Sequence, residues 1–550
     1  MPINPLFITD FYKTGHIDQY PEGTEVIYSN LTPRFGKYSN TKLNKVVVAG
    51  IRNFVVNFLK HYWDDSFFKR PKEDVVNEYQ EEVSLALGKT SVRQDHVEYL
   101  HDLGYLPLLV EALPEGAIVP YGVPVLRLTN TDYNCFWLTN YLETVLSNEL
   151  WKPMTTATTS AYYRTILDKY VKTTNPEASD FVDFQAHDFS ARGMSGWVDS
   201  TINAVSHLMF FKGTDTVSAI PLIRQLYGDK GFIGGSIPAT EHSVICAGSK
   251  ESEIDTYKRL LTEVYPTSIV SIVSDTWDYF KVLTEHLPSI KNIIESRDGK
   301  LVIRPDSGDP ADIICGKEFP YFSGGRDLHS QDEEIIDYLI DSHDEFTDDC
   351  SQIIQMGGSY FRATYIHIYG EKGRLELEPY EKTPEDKGAI EILYDIFGGS
   401  ISSTGYKVLA PCIGLIYGDA ITPVRMLDIL RRLELKKFAS TNVVFGVGSY
   451  TYNMVSRDTH GFAMRATWAQ IKGVGYDLFK QPKTDPSKNS AKGLFSVVKD
   501  ENDEYTLTYL SPTTAELDLL DVYFVNGNVP TANTFSSTRD RALLELNKEK

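Results

Sequence analysis

The spacing of apolar positions changes along the chain. In the first 150 residues, Val46-Val-Val-Ala-Gly50 runs into a helical spacing at Phe54, Val55, Phe58, Leu59 and Trp63. Short β-like runs follow at 108–112, 118–119 and 125–128, separated by Pro114-Glu-Gly, Gly122 and Asn130-Thr-Asp. Short apolar runs punctuated by glycine and proline predict a small sheet or barrel-like unit, so this part reads as mixed α+β. Residues 133–172 return to a helical period, with Trp137, Leu138, Tyr141, Leu142 and Val145 on one stripe.

From about residue 180, short apolar segments end in polar or glycine-rich tips, and helical spacing follows several of them. These segments are 181–184 leading to His187-Asp-Phe, 269–273 to Ser274-Asp275, 301–303 to Arg304-Pro-Asp306, 414–416 to Gly418-Asp419, and 443–445 to Gly446-Val-Gly-Ser449. Helices are expected at 277–287 and 423–438, the second with Thr422 as N-cap and Pro423 in its first turn. Repeated strand, tip and helix predict a parallel α/β layer or barrel, whose ligands bind where the strands end. There is no repeat of fixed period and no low-complexity tract.

Composition narrows the partners. The 550 residues hold 75 acidic and 54 basic side chains, a net charge of −21, and mean hydropathy is −0.25. Such a field disfavours nucleic acid and anionic membranes. The charge is uneven, since residues 316–407 carry 19 acidic and 8 basic groups; this stretch reads as a solvated acidic insertion. Five scattered cysteines without a Cys-x-x-Cys pair fit a reducing compartment. With no apolar run of membrane-spanning length and no secretory pattern at the N-terminus, the expectation is a soluble, cytoplasmic protein.

The strand tips carry the chemistry. Arg304 offers a planar donor fork for phosphate or pyrophosphate, and Asp306 could hold sugar hydroxyls or Mg²⁺; a capped turn is the plain alternative. Gly446-Val-Gly-Ser449 could cradle a phosphate with backbone amides or simply turn the chain. Asp275 repeats the strand-end carboxylate, unless it or Ser274 merely caps the next helix. Asp215 lies in a turn-like Lys-Gly-Thr-Asp-Thr segment, and Glu241-His242 sets a carboxylate beside an imidazole. Phe189 stands three residues from Arg192, an arrangement suited to a flat heterocycle beside an anion. Together these tips favour a phosphorylated sugar and a planar base.

Thr9-Asp-Phe-Tyr12-Lys with Gln19-Tyr-Pro, His187-Asp-Phe-Ser-Ala-Arg192-Gly, Phe211-Lys-Gly-Thr-Asp215-Thr-Val, Pro238-Ala-Thr-Glu241-His242-Ser, Val273-Ser-Asp275, Ile303-Arg-Pro-Asp306-Ser-Gly and Gly418-Asp419 stand in the order found in the nicotinamide phosphoribosyltransferase family. Fainter echoes are Pro114-Glu-Gly, Trp137-Leu-Thr-Asn, Ser456-Arg457-Asp and Asp485-Pro-Ser-Lys488. The resemblance spans nearly the whole chain outside 316–407. It implies an irregular parallel α/β-barrel core of the type II phosphoribosyltransferase kind at 156–460, carrying the insertion. A second, mixed α+β domain is then built from segments 1–155 and 461–550.

The resemblance also implies a homodimer with shared active sites. These would transfer phosphoribose from phosphoribosyl pyrophosphate to nicotinamide in NAD salvage, with Mg²⁺ and with ATP phosphorylating His242 beside Glu241. By the same likeness Phe189 and the partner's Tyr12 sandwich the base, while Asp215 takes the carboxamide. Arg192 and Arg304 meet pyrophosphate. Ser271 and Asp275 line the substrate site, Asp306, Gly418 and Asp419 hold ribose, and Gly448, Ser449 and Arg457 surround the 5′-phosphate. Arg465 and Lys488 are further phosphate contacts, and no metal ligand is assigned.

The chain departs from the family pattern in a shorter glycine run at 446–449, in arginine for lysine at Arg465, and in the insertion. A nicotinate-specific relative of the same fold is the close alternative, with Asp215 against it. A phosphosugar isomerase or aldolase barrel and a non-catalytic acidic interaction protein explain less of the ordered match.

Overall fold

A computed structural model describes residues 3–323, 328–342, 350–366, 373–418, 421–480 and 491–549. The chain forms two compact units, one of Met1–Lys169, Asp180–Ser236 and Gly446–Lys550, the other of Tyr170–Ser179 and Ile237–Phe445.

The first unit is built on an antiparallel sheet ordered Val474–Asp477, Ala463–Ile471, Thr24–Thr32, Leu126–Asn130, Leu108–Ala112 and Asp521–Val525. N- and C-terminal segments thus contribute to one sheet. Strict alternation buries Leu108, Val110 and Ala112 against Leu126 and Leu128, where they join Trp63, Phe67, Trp137 and Leu138 in the core. On the opposite face Arg127 forms a bidentate pair with Glu111, both bonds at 2.6 Å. The helical stripe read at 137–145 is buried throughout.

One expected strand is corrected. Residues 182–185 are helical, and the strand is Ala186–Asp188, paired in parallel with Gly213–Thr214. Val182 and Gln185 are the buried positions, a three-residue spacing that suits a helical turn.

In the second unit Thr267–Val273, Asp298–Arg304 and Ile413–Tyr417 lie side by side in parallel, with residues 443–445 along the last of them. Helical turns from 279 to 289 begin at Asp278, whose carboxylate caps them. Thr422 caps Pro423–Leu435 as the sequence predicts. The parallel α/β class with a second, mixed α+β part is therefore observed.

The acidic segment 316–407 has two parts. Tyr321–Phe322, Cys350–Met356, Ser359–Ile366 and Arg374–Pro379 form a sheet that packs on helix Leu328–Asp341, around Phe322, Ile335, Leu339, Cys350, Ile354 and Ala363. The helical pattern at 333–339 and the strand patterns at 360–369 and 375–377 fall here, residues 367–372 lying outside the described residues. Helix Ala389–Phe397 is different, because it buries Ala389, Ile390, Ile392 and Leu393 within the second unit. Lys436 anchors it, donating to Lys387 O at 2.9 Å and Glu391 Oε2 at 3.0 Å.

Two predictions follow from this packing. Replacing 320–379 with a short Gly-Ser linker should leave the remaining chain folded, whereas Leu393→Ala should cost about 2–5 kcal/mol; urea unfolding of both variants decides. Burial also holds His96 and His460 in the neutral form, each lowered to about 4. The unfolded chain therefore binds more protons between pH 6.5 and 4, and stability should fall as pH drops through that window. Each histidine contributes about 3 kcal/mol, read from urea midpoints across pH.

Candidate active site

The first unit gathers aromatic and carboxylate groups at the ends of the 186–188 and 213–214 strands. Asp188 is completely buried and accepts hydrogen bonds from Ser190 N at 3.1 Å, Ser190 Oγ at 2.6 Å, and Thr214 Oγ1 and Thr216 Oγ1 at 2.8 Å each. A charge removed from water is tolerable when its lone pairs are filled in this way. The result is that two loops, one carrying Phe189 and the other Asp215, are tied to a single carboxylate. Phe189 N donates to Val447 O at 3.0 Å, and Asp215 N to Asp188 O at 3.0 Å.

Asp215 meets two side chains. Its Oδ1 accepts from His187 Nε2 at 2.9 Å and from Ser236 Oγ at 2.5 Å. The His187 and Phe189 rings lie 4.6 Å apart, which sets a flat apolar face beside the carboxylate. Arg192 is exposed in the turn Ala191–Gly193. Gly193 packs against Ser449 so closely that a Cβ there would come 2.0 Å from Ser449 Oγ. Gly448 caps the helix Ser449–Asn453 rather than opening a longer glycine loop.

Arg457 and Arg465 belong to a cationic group that also includes Arg34. Burial and the charges of Arg465 and Arg457 push the Arg34 guanidinium below its ordinary value, and its Nε donates to Gly461 O at 2.7 Å. Like charges gathered in this manner suit a phosphate, which would relieve their repulsion. Tyr12 stands on the turn Phe11–Gly15, 62% exposed, with its ring 5.2 Å from that of His16.

The second unit gathers the remaining groups at the ends of the 267–273, 298–304 and 413–417 strands. Residues 238–240 run alongside the first of these: Ser271 N donates to Pro238 O at 2.9 Å and Thr240 N to Ser271 O at 3.0 Å. Arg304 Nη2 donates to Thr240 O at 2.7 Å, which fixes the guanidinium beside the segment leading to His242. Asp275 Oδ2 accepts from Asp306 N at 3.0 Å and Ser307 Oγ at 2.7 Å. It therefore organises the Arg304-Pro-Asp306 tip and does not cap the next helix.

His242 Nε2 faces Asp275 Oδ1 at 3.9 Å and Asp306 Oδ2 at 3.8 Å, and its Nδ1 lies 3.2 Å from Thr276 Oγ1. Glu241 accepts instead from Ser243 Oγ, so the carboxylates facing His242 are those of Asp275 and Asp306. Gly418 is closed over Asp306, since an added Cβ would come 2.4 Å from Asp306 Oδ1.

Three buried polar atoms in this cluster lack a hydrogen-bond partner: Ser271 Oγ, Asp275 Oδ1 and Arg304 Nε. Buried polar atoms without a partner are costly, and these three can bond to a substrate. Among the described residues no three His, Cys, Asp or Glu side chains form a metal site. The donor set nonetheless fits Mg²⁺, which is commonly held by one or two carboxylates with substrate phosphates and water.

The structure thus gathers Phe189, Asp215, Arg192, Gly448 and Ser449 in one unit, with Arg457 and Arg465 in their own cationic group. It gathers Glu241, His242, Ser271, Asp275, Arg304, Asp306 and Gly418 in the other. Asp419 and Lys488 lie outside the described residues. Asp188, Ser236, Thr240 and Arg34 are not singled out from sequence, although Arg34 sits in a Pro-Arg-Phe-Gly segment just past the strand Thr24–Thr32.

Residues 184–511 match the nicotinate phosphoribosyltransferase family, and residues 4–83 match the N-terminal domain of nicotinamide phosphoribosyltransferase. A nicotinamide phosphoribosyltransferase of Acinetobacter baylyi is 42% identical over 99% of this chain and 98% of its own length. The chain belongs to the nicotinamide phosphoribosyltransferase family. A second member, from Mycoplasma pneumoniae, is 31% identical over 89% of this chain and 95% of its own. The fold is also that of human nicotinic acid phosphoribosyltransferase, with a TM-score of 0.53 at 13% identity over 98% of this chain and 93% of that one.

As a member of this nicotinamide phosphoribosyltransferase family the chain is an enzyme of phosphoribosyl transfer in NAD salvage. Among the described residues no helix is long and apolar enough to cross a membrane. Gly418→Ala should displace Asp306 and slow phosphoribosyl transfer by about 100-fold while leaving the unfolding midpoint near that of the parent; steady-state kinetics and urea titration check both.

Proposed function

We propose that the base is nicotinamide, which attacks phosphoribosyl pyrophosphate to give nicotinamide mononucleotide and pyrophosphate. The observation that carries this reading is Asp215, a carboxylate held by His187 and Ser236 beside the Phe189 ring. A carboxamide N–H gains a charge-assisted hydrogen bond there, whereas the carboxylate of nicotinate meets a like charge.

In the reaction the pyridine nitrogen lone pair forms the bond to C1′ as the C1′–O bond breaks, and its electron pair leaves on pyrophosphate. Arg304, whose buried Nε makes no hydrogen bond and lies 3.6 Å from Asp306 Oδ1, stabilises that leaving charge. Asp306, pinned through its backbone to Asp275 and covered by Gly418, orients the ribose. Arg34, Arg457 and Arg465 receive a phosphate. Asp275 and Asp306 would hold Mg²⁺, which when bound neutralises phosphate charge.

His242 is the acceptor of a phosphoryl group from ATP. Its side chain is 48% exposed, so a nucleotide can reach it, and two carboxylates stand near its Nε2. The enzyme acts in the cytoplasm, a reading supported by its five free cysteines. It acts as a homodimer in which Tyr12 of the partner subunit completes the base site. The exposure of Phe11 and Tyr12 on one turn supports this assembly, and sedimentation should give twice 62.1 kDa.

The deciding assay pairs nicotinamide with nicotinate, each with and without ATP. Nicotinamide should be preferred, with transfer faster in ATP and a phosphohistidine seen by intact mass. Equal or better use of nicotinate would overturn the base assignment. His242→Ala should lose the ATP effect and keep reduced basal transfer; undiminished stimulation by ATP would refute the coupling role.

A further inference from the structure

Asp215 can discriminate amide from acid only while it is charged, and two side chains meet its carboxylate. His187 Nε2 and Ser236 Oγ converge on the same oxygen, Oδ1, at 2.9 and 2.5 Å. They lie 3.5 Å from each other. A carboxylate cannot donate, so the imidazole presents Nε2–H. The opposite edge of the ring lies close to Gly213, where an added Cβ would come 2.6 Å from Nδ1. The strand pairing of His187 with Gly213 fixes this contact. Ser236 is placed by the neighbouring backbone, where Thr214 N donates to Gly235 O at 3.0 Å. Of the ionisable groups close to His187, Asp188 is saturated by its own donors and burial holds His207 neutral.

We propose that His187 is a positioning residue that, with Ser236, sets the preference for amide over acid by holding Asp215 as a carboxylate. This rests on the reading that Asp215 recognises the base. Nicotinate can be accommodated if Asp215 takes up a proton and shares it with the incoming carboxylate. Donors directed at the charged form oppose that protonation, and a single unit of pKa is a tenfold change in the ratio of the two forms. His187 thus acts on which base is accepted, through Asp215, without being a catalytic residue.

The test is the ratio of kcat/KM for nicotinamide to that for nicotinate, measured on the full-length enzyme with phosphoribosyl pyrophosphate. Because His187 packs against Phe189, a variant that only disturbs the ring platform lowers both rates and leaves the ratio in place. His187→Phe and Ser236→Ala should each lower the ratio by about tenfold, and His187→Gln, which keeps an N–H donor, should stay within about threefold of the parent. Ser236 is exposed, so Ser236→Ala decides the matter should His187→Phe fail to fold. Asp215→Asn is the control for the underlying reading. A ratio lowered by Asp215→Asn but unmoved by both His187→Phe and Ser236→Ala would overturn the role of the donors while leaving Asp215 in place. A ratio unmoved by Asp215→Asn would overturn both.

Discussion

A parallel sheet stops abruptly. At the last residue of each strand the backbone ladder ends, and its N–H and C=O groups must find other partners or remain unpaired. This constraint shapes both clusters. Ser274 N is satisfied by Arg304 O, Asp306 N by the Asp275 carboxylate, and Phe189 N by Val447 O. Asp188 takes the amide and hydroxyl of Ser190 and two threonine hydroxyls from the other loop. Side chains that complete the backbone thereby also aim Phe189, Asp215, Arg304 and Asp306. The functional geometry is a by-product of ending strands properly.

Not every group at these tips is satisfied. Ser271 Oγ, Asp275 Oδ1 and Arg304 Nε are buried without a hydrogen-bond partner, whereas Asp188, in the other unit, is saturated. The contrast separates two kinds of buried polar group. One kind holds loops still and needs nothing further. The other has bonding capacity left over, Arg304 for a phosphate oxygen and Asp275 for a sugar hydroxyl, and a buried group without a partner costs roughly 1–3 kcal/mol.

What could be read from sequence follows the range of the interactions. Thr422 capping Pro423–Leu435 is a contact within one turn, and it was legible. The buried stripe at 137–145 and the alternating strands 108–112 and 126–130 are periodicities, also local. Residues 181–184 misled because Phe-Val-Asp-Phe satisfies two periods over so short a run. Asp275 shows the other limit, since its partner amide lies 31 residues away and nothing near it in sequence distinguishes that bond from a helix cap. The pairing of Glu241 with His242 was suggested by adjacency, yet neighbouring residues at a helix start point in different directions, and the carboxylates that face His242 come from two other strand ends. Ser236 and Arg34 escaped because ordinary residue types gain meaning only from what the fold sets beside them.

The small core around Phe322, Ile335, Leu339, Cys350, Ile354 and Ala363 has a consequence of a different kind. These side chains pack chiefly on one another, so the sheet and helix they join can open without disturbing the strands that carry the substrate groups. Backbone amides in 350–356 and 359–366 should then exchange with solvent by a local route, governed by a lower free energy than amides in 298–304 or 413–417. The sheet and helix of residues 321–379 thus form a cooperative unit with a lifetime of its own, whereas helix Ala389–Phe397 opens only with the second unit.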